Sequence, residues 1–373
     1  MQTLSPKLLA ENERLVLNVI RRHGSISRAA ITAETPLTQP WVHRLVDQLL
    51  ARGLLLTGPP LKGTRGQPSV TLSLDREAAY AIGVAVETDS VRICVADLSC
   101  RVVAEFVCMG SPSRLAPTLE LLSATVDMML RRHGLPRERV VGLGLSLPGF
   151  FVHEGRQLNA TEPLREWALI DLAPLASEAF GLPVTMQNSA TAAAIGENLI
   201  GVGRWARTFC YLNFNYGFGS GIVIEGKPYL GRRGNAGEIL FSAPKVDAST
   251  RPALSYLLAD LRRHGVDVSS IEHIRERFDP NWPGVDAWME RVQPMIDQVV
   301  NAVAGLFDPD AIVFGGELPT ALGSALIGKT TFWDAEHRYG MPPPRPRLVL
   351  AEGGSQATAV GAALQPLSDR FFS

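Results

Sequence analysis

Cysteine is scarce in this chain, and its placement excludes more than its number does. The four residues, Cys94, Cys100, Cys108 and Cys210, form no CxxC or CxC pair. That spacing argues against a disulfide framework or a cysteine zinc site and makes buried thiols the expectation. No run of about 18 consecutive apolar residues occurs, so no membrane span is expected. The opening "MQTLSPKLLAENERL" lacks a basic segment followed by an apolar one, and no signal peptide is expected either. Tandem repeats and low-complexity tracts are also missing; the nearest is the proline-rich "MPPPRPR" at 341–347. The expectation from these absences is a cytoplasmic, soluble chain, long enough at 373 residues for two or three domains.

Charge of one sign is missing overall, with a formal net of −1, yet it is unevenly spread. Residues 1–75 hold nine Lys/Arg against five Asp/Glu, whereas the remainder holds 27 against 32. A basic leading segment on an acidic body suits contact with a polyanion, although a solvated face could carry the same excess.

The leading segment has helical periodicity. Leu8, Leu9, Leu15, Val16, Val19 and Ile20 recur at helical spacing until His23-Gly24 ends the run. Ser27 is placed to cap a short second helix, "RAAITAET", which breaks at Pro36. Thr38 is placed to cap a third, from Gln39 to about Arg52, with Val42, Leu45, Val46, Leu49 and Leu50 inward and Pro40 in its tolerant first turn. "LLLTGPPLKGTRGQPSVTLSL" then reads as two strands around a Gly/Pro loop carrying Lys62 and Arg65.

Three helices followed by a basic β-loop make a winged helix-turn-helix, here assigned to residues 1–75. Its candidate DNA contacts are Ser27 and Arg28 at the second helix and Thr38, Gln39, Trp41, His43 and Arg44 at the third. Arg65 and Gln67 would act from the wing. Gln can pair two-fold with adenine and Arg with guanine in a major groove. A three-helix protein-interaction module is the alternative reading. Trp41 stands between contacting a base and packing on the second helix.

From residue 76 strands and helices alternate. "AIGVAVETDSVRICVADL" (81–98) reads as two strands around a tight turn, the place where some ATP-using enzymes wrap a phosphate. "VVGLGLSLPGFFV" is a strand entering a Gly/Pro turn, and "LPVTMQNSATAAAIGEN" a strand, an Asn-Ser cap and an Ala-rich helix. A glycine hairpin, "FCYLNFNYGFGSGIVIEG", comes next. A long helix, the strand of "DPDAIVFGG" and a small-residue helix, "GGSQATAVGAALQPL", complete the order. This succession predicts a two-lobed actin-like ATPase fold over residues 76–373.

The helix-turn-helix together with "LPGF", "NSATAAAIGEN", "GFGSGIV", "GNAGEI" and "DPDAIVFGG" resembles the ROK (repressor, open reading frame, kinase) family along essentially the whole chain. The resemblance implies a sugar-responsive transcriptional regulator, because the family's kinases lack the DNA-binding module. Three departures from the kinase pattern bear on catalysis. Where the kinases carry Asp-x-Gly-Gly-Thr, this chain has Ala85-Val86-Glu87-Thr88-Asp89, which puts side chains and carboxylates where phosphates would lie. The Asn-Asp pair whose aspartate is the general base is Asn188-Ser189 here, and a serine is too weak a base unaided. Phe241 stands where the metal-binding histidine would lie, and the cysteine segment is absent, so no zinc and no other cofactor are expected.

By resemblance, Gly149, Asn188, Ser189 and Glu238 are the effector-binding candidates. Ser189 has a helix cap as its other reading, and Glu238 a loop carboxylate capping a helix. No catalytic residue is assigned. The expected partners are a two-fold symmetric double-stranded operator and a sugar or sugar derivative, with the chain as a homodimer or dimer of dimers and not at a membrane. An active sugar kinase with a DNA-binding head and a ligand-independent DNA-binding protein are the competing readings.

Overall fold

The computed structural model describes residues 9–60, 70–153, 156–242, 248–333 and 339–372. Helix α1 (Glu11–His23) buries Val16, Leu17, Val19 and Ile20, so Leu17 rather than Leu15 completes the inner face. Glu13 reaches back to the Ala10 N–H at 2.8 Å, and Gly24 at φ +70° closes the helix. Strand β1 (Ile26–Ser27) is followed by α2 (Arg28–Glu34), where the Ser27 hydroxyl accepts from Ala30 N as the sequence anticipates. Helix α3 (Gln39–Ala51) buries Val42, Leu45, Val46 and Leu49. Strands β2 (Leu55–Pro60) and β3 (Val70–Leu74) pair antiparallel, and β1 adds to β3 to give the order β1-β3-β2. The two-residue β1 is too short for any periodicity to announce.

The body holds two five-stranded sheets. The first comprises β4 (Tyr80–Val86), β5 (Ser90–Asp97), β6 (Val102–Met109), β7 (Val140–Leu147) and β10 (Val184–Asn188), ordered β10-β7-β4-β5-β6. A small ribbon, β8 (Gly149–Val152) with β9 (Gln157–Ala160), lies between β7 and β10 in sequence. Strand β4 alternates by size. Tyr80, Ile82, Val84 and Val86 face the core under α4 (Leu115–Arg132) and α5 (Leu172–Phe180), whereas Ala81 and Ala85 join a cluster that continues into the head.

The second sheet comprises β11 (Phe209–Phe214), β12 (Phe218–Ile224), β13 (Lys227–Pro228), β14 (Ala311–Gly316) and β15 (Arg347–Leu350), ordered β13-β12-β11-β14-β15. Leu212 and Phe214 pack toward α7 (Leu254–Arg263), α8 (Ile271–Arg277) and α9 (Val285–Phe307), a core completed by α10 (Thr320–Lys329). Two small-residue helices lie between the sheets. Helix α6 (Ser189–Ile200) sits against β11 and β12, and α11 (Ala357–Leu367) against β4, β5 and β7. This is the two-lobed actin-like architecture, mixed α/β.

The head shares its core with the body. Leu364, Leu367, Phe371 and Phe372 at the end of the chain are buried in one cluster with Val16, Ile20 and Leu49. The Arg21 guanidinium lies over the Phe372 ring at 5.4 Å. A displacement of α11 therefore has a direct packing route to α1. Among the described residues, no helix is long and apolar enough to cross a membrane.

Candidate functional site

Two places gather polar chemistry: the outer face of α3 and the cleft between the lobes. On α3 the inward positions are apolar, which leaves Gln39, Trp41, His43, Arg44 and Asp47 exposed. Arg28 is tied to Asp47 at 2.7 Å and lies 3.2 Å from His43 Nδ1, which clamps α2 against α3. Arg28 and His43 are thus already engaged within the head. Trp41 is 40% exposed, and the Arg44 guanidinium stacks over its ring at 5.3 Å. Thr38 occupies the N-cap position of α3 without a side-chain cap bond, contrary to the capping expectation, so its hydroxyl faces outward unspent. The Ser27 hydroxyl is buried and committed to its cap. Arg65 and Gln67 lie outside the described residues.

In the body, Gly149, Asn188, Ser189 and Glu238 all line one cleft of about 650 Å³, with Asn213, Tyr216, Phe218 and Arg251 on the same walls. That volume lies within the range of small-molecule sites. Gly149 has φ +147°, and a Cβ there would come within 2.5 Å of the Asn159 carbonyl oxygen, so only glycine fits.

Asn188 is spent structurally. Its Oδ1 accepts from Ala190 N at 2.7 Å and Thr191 N at 3.2 Å, capping α6, and its Nδ2 donates to the Gly149 carbonyl. The cap reading of Ser189 is therefore replaced: Asn188 does the capping, and the buried Ser189 Oγ has no hydrogen-bond partner among the described residues. Asn213 Oδ1 is likewise buried and unpartnered. Asn213 escaped notice in the sequence because it sits inside an apolar strand with no motif around it. Glu238 is raised to about 7 by burial alone. Trp167 does not reach the cleft; it is fully buried and donates to the Pro112 carbonyl at 2.7 Å.

Behind Ser189 the turn between β4 and β5 meets α8. Asp89 Oδ2 accepts from Ile271 N at 3.1 Å. Arg92 pairs with Glu272 at 3.0 Å and Glu317 at 3.5 Å, and Arg275 with Glu272 and Glu317 at 3.1 Å each. The two Arg92 pairs join the lobes, that with Glu272 across 180 residues of sequence. The turn between β11 and β12 is committed too: the Asn215 and Tyr216 carbonyls accept from Leu254 N at 2.9 Å and Ser255 N at 3.3 Å at the start of α7. Asp89 and the Asn215 and Tyr216 carbonyls are thus engaged by lobe-two helices, and the β4–β5 hairpin offers carboxylates instead of a glycine cradle of N–H donors.

The ROK family model matches residues 81–241. An uncharacterized protein, y4fQ of Sinorhizobium fredii, is 28% identical over 98% of this chain and 93% of its own length. The xylose repressor of Caldicellulosiruptor bescii is 28% identical over 61% of this chain, a match that spans 57% of that repressor. Among solved structures, a ROK family transcriptional regulator homologous to the E. coli MLC protein superposes with a TM-score of 0.70 at 20% identity, covering 96% of both chains. A ROK glucokinase from Streptomyces griseus, solved with glucose and AMPPNP, superposes with a TM-score of 0.61 at 21% identity over 76% of this chain and 98% of its own. The kinase is matched almost whole and leaves about a quarter of this chain unmatched, whereas the regulator is matched end to end. The chain carries a ROK family domain over residues 81–241.

Proposed function

We propose that this chain is a sugar-responsive transcriptional repressor. In this reading residues 1–75 form the DNA-binding unit, and residues 76–373 form an effector-binding and dimerising unit whose kinase-like cleft does no chemistry. The observation that carries it is the outer face of α3. Arg44 and Gln39 stand exposed on a helix whose inner face is fully packed, with Arg44 held by stacking on Trp41. Such a helix suits a major groove, and a symmetric pair of heads would grip a two-fold operator in the cytoplasm. The named xylose repressor supports a sugar as the effector.

The competing kinase reading requires a phosphate cradle and a general base. The β4–β5 hairpin supplies Glu87 and Asp89 instead of glycines, and Ser189 stands at the base position. A coupled nucleotide-turnover assay over a sugar panel is expected to show no sugar-dependent turnover; measurable turnover would refute the repressor-only reading.

The direct test is a binding-site selection with the full chain, followed by titration of the selected operator with and without D-xylose. Sugar-dependent release supports the proposal, and failure to select any sequence overturns it. On that operator, Arg44→Ala is expected to weaken binding about tenfold to a hundredfold and relax preference at one base pair, the effect of losing a bidentate contact of about 1–3 kcal/mol. A uniform loss across sequences would instead make Arg44 a phosphate contact.

A further inference from the structure

We propose that helix α4 is a self-association surface, pairing antiparallel with α4 of a second copy of this chain. The inference goes beyond the operator reading: it names a surface, and it would stand if the chain bound neither DNA nor sugar. Helix α4 has two apolar faces where a surface helix needs one. Its inner face packs Leu119, Leu122, Val126, Met129 and Leu130 into the core of the first sheet. On the opposite side Pro117, Leu121, Ala124 and Met128 follow at i, i+4, i+7 and i+11, and all four are exposed. Leu121 is 53% exposed and Met128 41%. At 3.6 residues per turn these four fall in a stripe about 60° wide. That is the spacing of a coiled-coil seam, and no charged residue interrupts it.

The charges flanking the stripe decide what covers it. Glu120 and Arg131 stand on the same flank, eleven positions apart, both exposed and without an ion pair among the described residues. Asp127, the other carboxylate of the helix, is committed to Arg137, and Arg132 lies on the opposite flank. A two-fold axis between antiparallel helices keeps each flank on its own side and reverses it end for end. Crossing near residue 125, such an axis sets Leu121 beside the partner's Met128 and Glu120 beside the partner's Arg131, each contact made twice. A parallel pair would instead set Glu120 against the partner's Glu120 and Arg131 against the partner's Arg131, which like charges oppose. Stripe and charges are therefore self-complementary in one orientation, the property an isologous interface requires. That selects a second copy of this chain over an unrelated partner.

The helix is also held ready to present this face. Leu115 N donates to Glu166 at 2.9 Å, and Ser123 Oγ donates to the Ala179 carbonyl of α5 at 2.8 Å. Arg137 bridges Asp127 and the Phe180 carbonyl. Helix α5, fixed beside α4 in this way, exposes Leu175 as well. Association would thus order little that is not ordered already. Strand β4 of the same sheet contributes Ala81 and Ala85 to the core it shares with the head, so pairing through α4 ties both heads to one rigid sheet pair.

Light-scattering masses of the full chain from about 0.5 to about 50 µM test this, with Leu121→Asp, Glu120→Arg, Arg131→Glu and the double reversal as variants. Wild type is expected to associate in that range. Leu121→Asp is expected to halve the mass, its dissociation constant raised at least about a hundredfold because the change enters the interface twice. Each single reversal is expected to weaken association about tenfold, and Glu120→Arg combined with Arg131→Glu to restore it to within about threefold. The substituted positions are exposed, so thermal melts are expected to match wild type; should Leu121→Asp melt early, the reversal series decides. A wild type that stays monomeric at about 50 µM overturns the proposal. So does a folded Leu121→Asp whose mass is unchanged, and the stripe then serves a different partner. A double reversal that associates no better than either single one overturns the antiparallel pairing.

Discussion

Gly361→Ala is expected to yield protein that is insoluble or melts more than about 10 °C below wild type, although it adds one methyl group inside a helix. In an exposed helix the same change would stabilise, since glycine is about 1 kcal/mol worse than alanine there. At Gly361 a Cβ would lie 1.7 Å from the Ala192 carbonyl oxygen and 2.7 Å from Gly196 N, both backbone atoms of α6. Backbone cannot rotate aside, so the helices themselves must separate. Helix α11 has nowhere to go on its other side, because Cβ atoms at Gly83 and Gly144 would meet Ala359 and Ala362 carbonyl oxygens at 1.9 Å. It is pinched between β4 and β7 below and α6 above, by contacts too close for any side chain. Overpacking of this kind costs about 1–3 kcal/mol where neighbours can adjust, and more where they cannot. The damage also extends to the head, since Leu364 and Leu367 of α11 share a core with α1. Gly305→Ala, on α9 with nothing within 4 Å of the added carbon, is the control and should melt at or slightly above wild type. Thermal melts of the two variants decide the matter; a Gly361→Ala melt within about 2 °C of wild type would refute the packing argument.

That interface shows what could be read in the sequence and what could not. The small-residue character of "NSATAAAIGEN" and "GGSQATAVGAALQPL" is visible, and so is their helical form. Their mutual contact is not, because nothing local in either segment records the other. The head was legible for the opposite reason. Its helices are amphipathic, capped and terminated by Ser27, Gly24 and Gly53, all local signals. Asn188 and Ser189 show the limit within a site. Their adjacency suggested a capped helix, but which of the two caps depends on where the Gly149 carbonyl lies, 39 residues away. The ionic lock of Arg92 with Glu272 joins segments separated by nearly half the chain, and Asp89, which read as a phosphate-repelling carboxylate, proves to accept from Ile271 N of the other lobe. Residue types could be read; the partners that exhaust or free each polar atom required the fold.

Glu87→Gln is expected to stabilise the protein at neutral and alkaline pH and to do nothing in acid. Glu87 is buried, and its carboxyl is raised from an ordinary 4.5 to about 8, chiefly by burial and then by Glu317 and Asp89. Below the ordinary value both folded and unfolded chains carry the proton, so its titration gives no preference for either. Between about 4.5 and about 8 the folded chain holds a proton that the unfolded chain has released, and stability falls steadily as pH rises. Above about 8 both states are ionised and the loss is complete. Each unit of displacement corresponds to about 1.4 kcal/mol, so a few kcal/mol is the ceiling on what glutamine recovers. In a chain of this size that amounts to several degrees in Tm, growing from nothing near pH 4 to a plateau near pH 8, each roughly placed. Glutamine preserves the shape of the side chain and removes only the charge, which separates electrostatics from packing. The neighbouring Glu317 is also raised by burial but is held down by Arg92 and Arg275, so it is the comparison that should behave differently. Glu317→Gln strips both guanidiniums of a buried partner and is expected to lower the melting temperature at every pH where they are charged. A Tm difference for Glu87→Gln that stays flat from acid to alkaline pH would show that Glu87 is ionised in the folded chain. The carboxylate cluster between the lobes would then be balanced by its two arginines, without a proton.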